Sequence, residues 1–217
     1  MPWKTWKIAG WLLLMSGLVE AREYTYSDAH LHYVDFFQES AGMDELLKAM
    51  DAARIDQSMI SGVAVAKKWH EDEPKRPRYY AGDDAAAYWY SATDIYVAAA
   101  LQQLPEQQRQ RFHPFLTGFN PVDKNAATHI ERMLELFPGL WQGIGEVFTR
   151  HDDLTALTSG DTPRANNEAL GLIYQLAARH DMPVLIHSNI TSKRERNPLY
   201  LEEIEQPLRE HPDTRFI

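Results

Sequence analysis

The chain has 217 residues and a net charge of −9, with 24% charged and 44% hydrophobic residues. This length suffices for one domain with a substantial core, and the composition, ordinary for a globular protein, gives no reason to propose a disordered chain. An acidic surface repels phosphate backbones, so we expect no nucleic-acid partner. The absence of cysteine excludes disulfides and thiol nucleophiles, so any metal must be held by His, Asp or Glu.

The N-terminal segment has the pattern of a secretory signal peptide. Two lysines precede a short apolar run over 8–19, and a small-residue cleavage sequence ends at Ala21. We therefore expect residues 1–21 to be removed on export, leaving 22–217 as the domain of a periplasmic protein without a stable membrane anchor. A membrane-anchoring first helix is the alternative.

Strand and helix patterns then alternate to the end of the sequence. The predicted strands cover 23–32, 56–66, 112–120, 141–148 and 183–187. The predicted helices cover 43–54, 93–104, 125–137, 166–180 and 199–210. Thr93 or Asp94 is the expected N-cap of the second helix, and 214–217 resembles the start of a sixth strand.

Five strand–helix units indicate an α/β fold with parallel strands, either an open doubly wound sheet or a closed (β/α)₈ barrel of the TIM type. No Gly-x-Gly-x-x-Gly motif follows the first strand, which disfavours a dinucleotide fold. A barrel takes about 250 residues, so we expect one that is incomplete at its C-terminus, from a fragment or a truncated gene. Exposed strand edges would then favour homo-oligomers or aggregation unless a missing portion completes the barrel.

The first strand ends in Asp28-Ala29-His30-Leu31-His32. Side chains two residues apart on a strand point to the same side, so His30 and His32 can converge on one cation. Asp28 lies on that side too and could orient a histidine from behind. Two incidental histidines at a strand end are the alternative.

Two further strands end in residues that can bind a metal. Glu146 lies toward the end of the fourth predicted strand, in Gly143-Ile-Gly-Glu146, and His187 ends the fifth. The carboxyl ends of barrel strands form the active-site face, so these side chains are expected near His30 and His32. Imidazole and carboxylate ligands suit a divalent cation, with Zn²⁺ as the expected ion.

The order of these motifs resembles the amidohydrolase superfamily, and within it the amidohydrolase-related family. The resemblance runs from about Tyr24 to Ile217. It implies a metal-dependent hydrolase in which His30, His32, Glu146 and His187 bind metal. The resemblance also implies that Glu146 and His187 are catalytic. The cation would activate a water molecule that cleaves a small-molecule amide, ester or lactone.

The family pattern also includes a sixth-strand histidine and an eighth-strand aspartate, which have no counterpart up to Ile217. That departure puts catalysis by this chain alone in question. Tyr33, Asp35 and Asn189 follow the predicted ligands and are candidate contacts for a small-molecule substrate. His151, shortly after Glu146, is a weaker candidate for the site.

Three other functions stay open. The same family resemblance includes non-oxidative decarboxylases, which use the metal to bind an aromatic acid. A nuclease of the TatD type shares the His-x-His motif, although the acidic composition disfavours it. The third alternative is a catalytically inactive remnant or binding module. The absence of Gly-x-Ser-x-Gly argues against a serine hydrolase.

Overall fold

A computed structural model describes residues 24–69, 77, 85–151, 154–192 and 194–217. The predicted signal peptide lies outside the described residues. Within these residues, no helix is long and apolar enough to cross a membrane. The strands are β1 (Tyr26–His32), β2 (Ile55–Ser61), β3 (Val65–Lys67), β4 (Ala87–Trp89), β5 (Phe112–Leu116), β6 (Gly143–Phe148) and β7 (Val184–His187). The helices are α1 (Met43–Ala52), α2 (Thr93–Gln102), α3 (Glu106–Arg109), α4 (Ala126–Leu136), α5 (Glu168–Arg179) and α6 (Leu201–Glu210).

Five strands form one parallel sheet in the order β1-β2-β5-β6-β7. Each strand lies beside the one before it in the chain, apart from the small β3-β4 sheet, and the order never reverses. A doubly wound sheet reverses its order at a switch point, so this topology is that of a barrel. The predicted incomplete (β/α)₈ barrel is confirmed.

The C-terminal residues extend this sheet. Phe216 forms a parallel bridge to Val184 of β7. The backbone N–H of Ile217 donates to the carbonyl of Val184 at 2.9 Å, and that of Ile186 donates to the carbonyl of Ile217 at 3.1 Å. The segment predicted to start a sixth strand therefore pairs with the fifth strand of the sheet.

The main core lies between the sheet and its helices. Ile60, Leu116 and Ile144 of successive strands are fully buried there. Ile130 of α4 and Ile173 of α5 pack against them from the helical layer. They lie on the helix-facing side of the sheet, and in β6 both Ile144 and Val147 face this core because the strand is irregular between them. The opposite face of the sheet is left for the polar residues of the site.

The predicted strand over 56–66 is wrong as a single element. β2 ends at Ser61, and after a turn β3 pairs antiparallel with β4 in a separate two-stranded sheet. Every residue from Ser58 to Lys67 is buried, so the apolar run gives no sign of the turn. The break lies at Gly62, where a Cβ atom would overlap the side chain of Thr93.

The predicted N-cap of α2 is also wrong. Ala92 holds the cap position, and no side chain caps this end. Thr93 instead accepts a hydrogen bond at its Oγ1 from the backbone N–H of Val63, at 2.9 Å. The carboxylate of Asp94 accepts from the backbone N–H groups of Thr117 and Gly118. These side chains therefore form hydrogen bonds with residues distant in sequence and do not cap the helix.

Candidate metal centre

Three side chains from two distant strands meet at the carboxyl end of the sheet. Oε2 of Glu146 lies 3.1 Å from Nε2 of His30 and 2.9 Å from Nε2 of His32, and the two Nε2 atoms are 3.2 Å apart. β1 and β6 are three strand spacings apart, about 14 Å in a flat sheet. These contacts therefore require the sheet to curl.

The fourth predicted ligand lies on the other side of Glu146. Nδ1 of His187, at the end of β7, contacts Oε1 of the Glu146 carboxylate. Each carboxylate oxygen thus faces imidazole nitrogen, from β1 on one side and β7 on the other. The structure brings together all four side chains that were predicted to bind metal.

The imidazoles determine the charge of the buried carboxylate. Burial alone would raise the pKa of Glu146, but hydrogen bonds from His187, His30 and His32 outweigh it and hold this pKa well below its usual range. Hydrogen bonding to Glu146 raises the pKa of His30, burial partly offsets this, and the charges of Glu146 and Asp28 add to the rise. Glu146 is therefore an anion at neutral pH.

The spacing of the three donor atoms fits a small divalent cation. Zn²⁺ takes nitrogen and oxygen ligands at about 2.0–2.1 Å, which places tetrahedral ligands about 3.3 Å apart. The observed separations of 2.9, 3.1 and 3.2 Å are close to that value. The donor atoms of His30, His32 and Glu146 thus form a group that can hold one metal ion.

Aromatic rings surround the imidazoles. Phe148, which is 2% exposed, meets His32 and His187 edge-on with ring centroids 6.4 and 5.8 Å apart. The ring of His151 lies 4.6 Å from that of His187 at a tilt of 39°. The ring of His151 is therefore adjacent to that of a predicted ligand, and its role in the site stays a prediction.

Backbone geometry at β6 explains how Glu146 reaches this point. The β6–β7 ladder is irregular between Ile144 and Val147, so the strand bulges beside Glu146. Gly145 adopts a φ of 123°, and a Cβ atom there would overlap the carbonyl oxygen of Leu185. Only glycine fits this position, which gives a physical role to the Gly-Ile-Gly-Glu sequence.

Asp28 contacts the backbone of the site. Its carboxylate accepts from the N–H of His30 at 3.0 Å, whereas the sequence suggested a contact with an imidazole ring. Asp28 thus stabilises the backbone from Asp28 to His30, where the β1–β2 register is irregular, and its charge acts on His30 through space.

The predicted substrate contacts follow the candidate ligands closely in the chain. Tyr33 and Asp35 line a cavity of about 380 Å³ that also includes His32. The carboxylate of Asp35 accepts from the N–H groups of Phe37 and Glu39, so it stabilises its own loop. Asn189 follows β7, and its N–H donates to the carbonyl of Arg150 at 2.7 Å. Substrate contact by Tyr33, Asp35 and Asn189 stays a prediction.

Sequence reasoning missed two threonines that hold the ligand strands. The hydroxyl of Thr117 donates to the backbone carbonyl of Glu146, and that of Thr149 donates to the carbonyl of His187. Thr149 directly follows the predicted strand over 141–148, a position that could have pointed to it, whereas Thr117 lies inside the predicted strand over 112–120 and follows only the shorter observed β5.

The sequence matches no protein-family model and no curated protein. Three solved structures are similar in fold. A proposed 2-pyrone-4,6-dicarboxylic acid hydrolase from Pseudomonas putida is 12% identical, with a TM-score of 0.45 over 84% of this chain and 54% of that one. A proposed amidohydrolase from Staphylococcus aureus is 16% identical, with a TM-score of 0.42 over 79% and 50%. The 5-carboxyvanillate decarboxylase from Sphingomonas paucimobilis is 15% identical, with a TM-score of 0.43 over 82% and 51%.

The chain spans about half the length of each of these structures. Similarity at these values describes the fold and carries no argument about chemistry. By its own strand order the chain is an incomplete (β/α)₈ barrel, and it is similar in fold to solved structures of the amidohydrolase superfamily.

Proposed function

We propose that this chain belongs to a metal-dependent hydrolase of the amidohydrolase superfamily, acting on a small-molecule amide, ester or lactone. The cation is a divalent metal, with Zn²⁺ as the first candidate. Export to the periplasm is part of the same proposal and rests on the sequence of the first 21 residues.

One observation supports metal binding above the others. His30, His32 and Glu146 present three donor atoms that are all within 3.2 Å of one another. Hydrogen bonds alone do not satisfy this triangle. If both Nε2 atoms carry protons, two N–H groups face each other; if one does not, its lone pair faces a carboxylate oxygen. A cation accepts all three lone pairs at once.

A metal in this position would lower the pKa of a bound water and polarise the bond to be cleaved. The remaining residues have separate tasks. His30 and His32 from β1 and Oε2 of Glu146 would hold the ion. Nδ1 of His187 contacts Oε1 of Glu146, so a His187 protonated at Nδ1 would hold a proton between these two atoms. That proton lies beside the reacting centre, where it could pass to a leaving group.

The first test is metal binding by the purified protein. We expect the metal-free protein to take up about one equivalent of Zn²⁺. His32→Ala and Glu146→Gln should each weaken the affinity by at least about 100-fold, because each removes a ligand rather than a supporting contact. His180→Ala is the matched control, since this histidine is exposed at the end of α5. Wild-type protein without Zn²⁺ affinity would contradict the proposal and favour an inactive protein.

The second test separates hydrolysis from decarboxylation. Metal-loaded protein is incubated with lactone, ester, amide and aromatic-acid substrates, and the products are analysed for incorporated water and released carbon dioxide. Uptake of ¹⁸O from labelled water into product supports hydrolysis. Carbon dioxide release without water uptake would overturn it in favour of a decarboxylase.

A further inference from the structure

Two buried threonines each follow one strand of the sheet and donate a hydrogen bond to the backbone of a site residue on the next strand. Thr117 directly follows β5, and its Oγ1 donates to the backbone carbonyl of Glu146 on β6 at 2.5 Å. Thr149 directly follows β6, and its Oγ1 donates to the carbonyl of His187 on β7 at 2.8 Å. Both are buried, with exposed fractions of 1% and 0%. The same device therefore occurs twice, on neighbouring strands.

The hydrogen bond from Thr117 lies where the regular backbone pairing between neighbouring strands is interrupted. The β5–β6 pairs end at Leu116 and Ile144, and the β6–β7 ladder is irregular between Ile144 and Val147. Glu146 lies in this irregular stretch. The hydroxyl of Thr117 thus joins the backbone of Glu146 to the neighbouring strand where the ladder does not.

Thr117 is itself fixed from the helical layer. The carboxylate of Asp94, at the start of α2, accepts from the N–H of Thr117 at 3.0 Å and from the N–H of Gly118 at 2.8 Å. A Cβ atom on Gly118 would lie 2.7 Å from the Asp94 carboxylate, so this close approach needs glycine. A continuous chain of hydrogen bonds therefore runs from α2 through Thr117 to Glu146.

Thr149 fixes the end of β7 in a related way. Its N–H and its Oγ1 both donate to the carbonyl of His187, at 3.0 and 2.8 Å. Two residues further on, the N–H of Asn189 donates to the carbonyl of Arg150 at 2.7 Å. The carbonyl of His187 thus accepts two hydrogen bonds from Thr149. These bonds fix the backbone of His187, so its Nδ1 stays directed toward Glu146.

We propose that Thr117 and Thr149 are positioning residues that orient Glu146 and His187 toward the candidate metal centre. The inference rests on the proposed function, and it names the supports on which the metal site depends. Ligand constellations tolerate displacements of only about 0.5 Å. Loss of a hydroxyl on a neighbouring strand should therefore weaken metal binding although no ligand is removed.

The experiment compares threonine variants of equal shape. Thr117→Val and Thr149→Val remove the hydroxyl and keep the branched side chain, while Thr117→Ser and Thr149→Ser keep the hydroxyl. Thr214→Val is the matched control, because this buried threonine donates to the carbonyl of Tyr174 at 2.9 Å, away from the site. Zn²⁺ affinity is measured by competition with a chelator, and the urea midpoint of the metal-free protein is measured in parallel.

We expect Thr117→Val and Thr149→Val to bind Zn²⁺ about 10- to 100-fold more weakly, the range for lost supporting contacts, and the serine variants to retain affinity. Thr214→Val should lower the urea midpoint to a similar extent and leave the affinity unchanged. Equal affinity in the wild type and both site valine variants would overturn the inference, as would an equal loss in Thr214→Val.

A readout without metal separates this inference from the proposed function. The imidazole ¹H–¹⁵N signals of His187 and His30 report their contacts with Glu146 in the metal-free protein. We expect Thr117→Val and Thr149→Val to shift these signals and Thr214→Val to leave them in place. If the wild type binds no Zn²⁺, the proposed function fails and these spectra still decide the positioning role. Unshifted signals in both site valine variants would overturn it.

Discussion

The pKa values of two buried carboxylates in this chain are shifted in opposite directions because their partners differ. Glu146 has three imidazole contacts, which hold its pKa well below the usual range despite burial. Asp94 is fully buried, and burial raises its pKa to about 7, an effect that the N–H groups of Thr117 and Gly118 only partly offset. Glu146 is therefore suited to bind a cation, while Asp94 provides a neutral or weakly charged anchor near pH 7.

Asp94 should make the stability of the protein depend on pH. A free aspartate ionises near pH 3.9, so between about pH 4 and pH 7 the folded chain binds one more proton than the unfolded chain. This contribution is fully present below about pH 4 and is lost as the pH rises through about 7, at a total of about 4 kcal/mol. We expect wild type to lose about 2 kcal/mol relative to Asp94→Asn between pH 5 and pH 7, measured by urea unfolding.

The comparison with Asp94→Asn removes the effect of other carboxylates, since they titrate in both proteins. Asparagine keeps one acceptor for the two backbone N–H groups, so the variant should be less stable at pH 5. A stability difference between the two proteins that stays constant from pH 5 to pH 7, or that grows, would contradict the pKa of about 7.

The sequence predicted that the four candidate ligand side chains meet, because the carboxyl ends of barrel strands lie on one face. His30 and His32 follow from the two-residue repeat of a strand, and Glu146 and His187 from their positions at strand ends. Other contacts could not be predicted because they depend on atoms of neighbouring residues and on strand register. They are the hydrogen bond of Asp28 with the backbone and the hydroxyl hydrogen bonds of Thr117 and Thr149. No pattern within one strand encodes them.

At the scale of elements, periodicity predicted the strands and helices whose two faces differ. α4 and α5 each bury one face, and their predicted and observed bounds agree within one or two residues. The run from Ser58 to Lys67 is buried on both faces, so its apolar residues show no change where β2 ends and β3 begins. The turn depends on the contact between Gly62 and Thr93, which only the folded chain brings together.

The bulge in β6 should make Gly145 intolerant of a side chain. Gly145→Ala combines a strained φ of 123° with overlap of the Leu185 carbonyl, and we expect a loss of about 3–5 kcal/mol in the free energy of unfolding. Gly160→Ala is the control, because Gly160 also has a positive φ, of 99°, but no atom lies within 4 Å of the added Cβ. It should lose only about 1–2 kcal/mol. Equal losses in urea unfolding would show that overlap with Leu185 is unimportant.

Asn167 is the side-chain cap of α5. Its Oδ1 accepts from the N–H of Leu170 at 3.0 Å, and its backbone is extended as an N-cap requires. Asn167→Ala should lower the free energy of unfolding by about 1 kcal/mol, whereas Asn167→Asp keeps the acceptor and adds a charge that favours the helix N-terminus. Thermal unfolding of both variants tests this, and an aspartate variant as unstable as the alanine variant would contradict it.

At the scale of the whole molecule, the described sheet is open. β1 is paired with β2 alone among the described strands, and the sheet ends beyond β7 at the short bridge to Phe216. The order of strand and helix patterns predicted a parallel α/β fold, and the absence of a Gly-x-Gly-x-x-Gly motif after the first strand favoured the barrel over the doubly wound sheet. The curl of the sheet could be inferred only through the expected meeting of His30 with Glu146, which the fold brings to 3.1 Å.

Among the described residues, β1 has no strand on its outer side, and such edges favour association between copies. Tyr26 on β1 is 61% exposed, so apolar surface accompanies the edge. We expect the wild-type chain to self-associate over a roughly hundredfold range of concentration in sedimentation velocity. Tyr26→Lys should weaken this association by about tenfold, because a charge on an edge strand opposes pairing with another chain.

Leu136→Lys, at the similarly exposed end of α4, should leave it unchanged. An equal effect of both lysines would assign association to general apolar surface, and a monomeric wild type at every concentration would show that the β1 edge is protected.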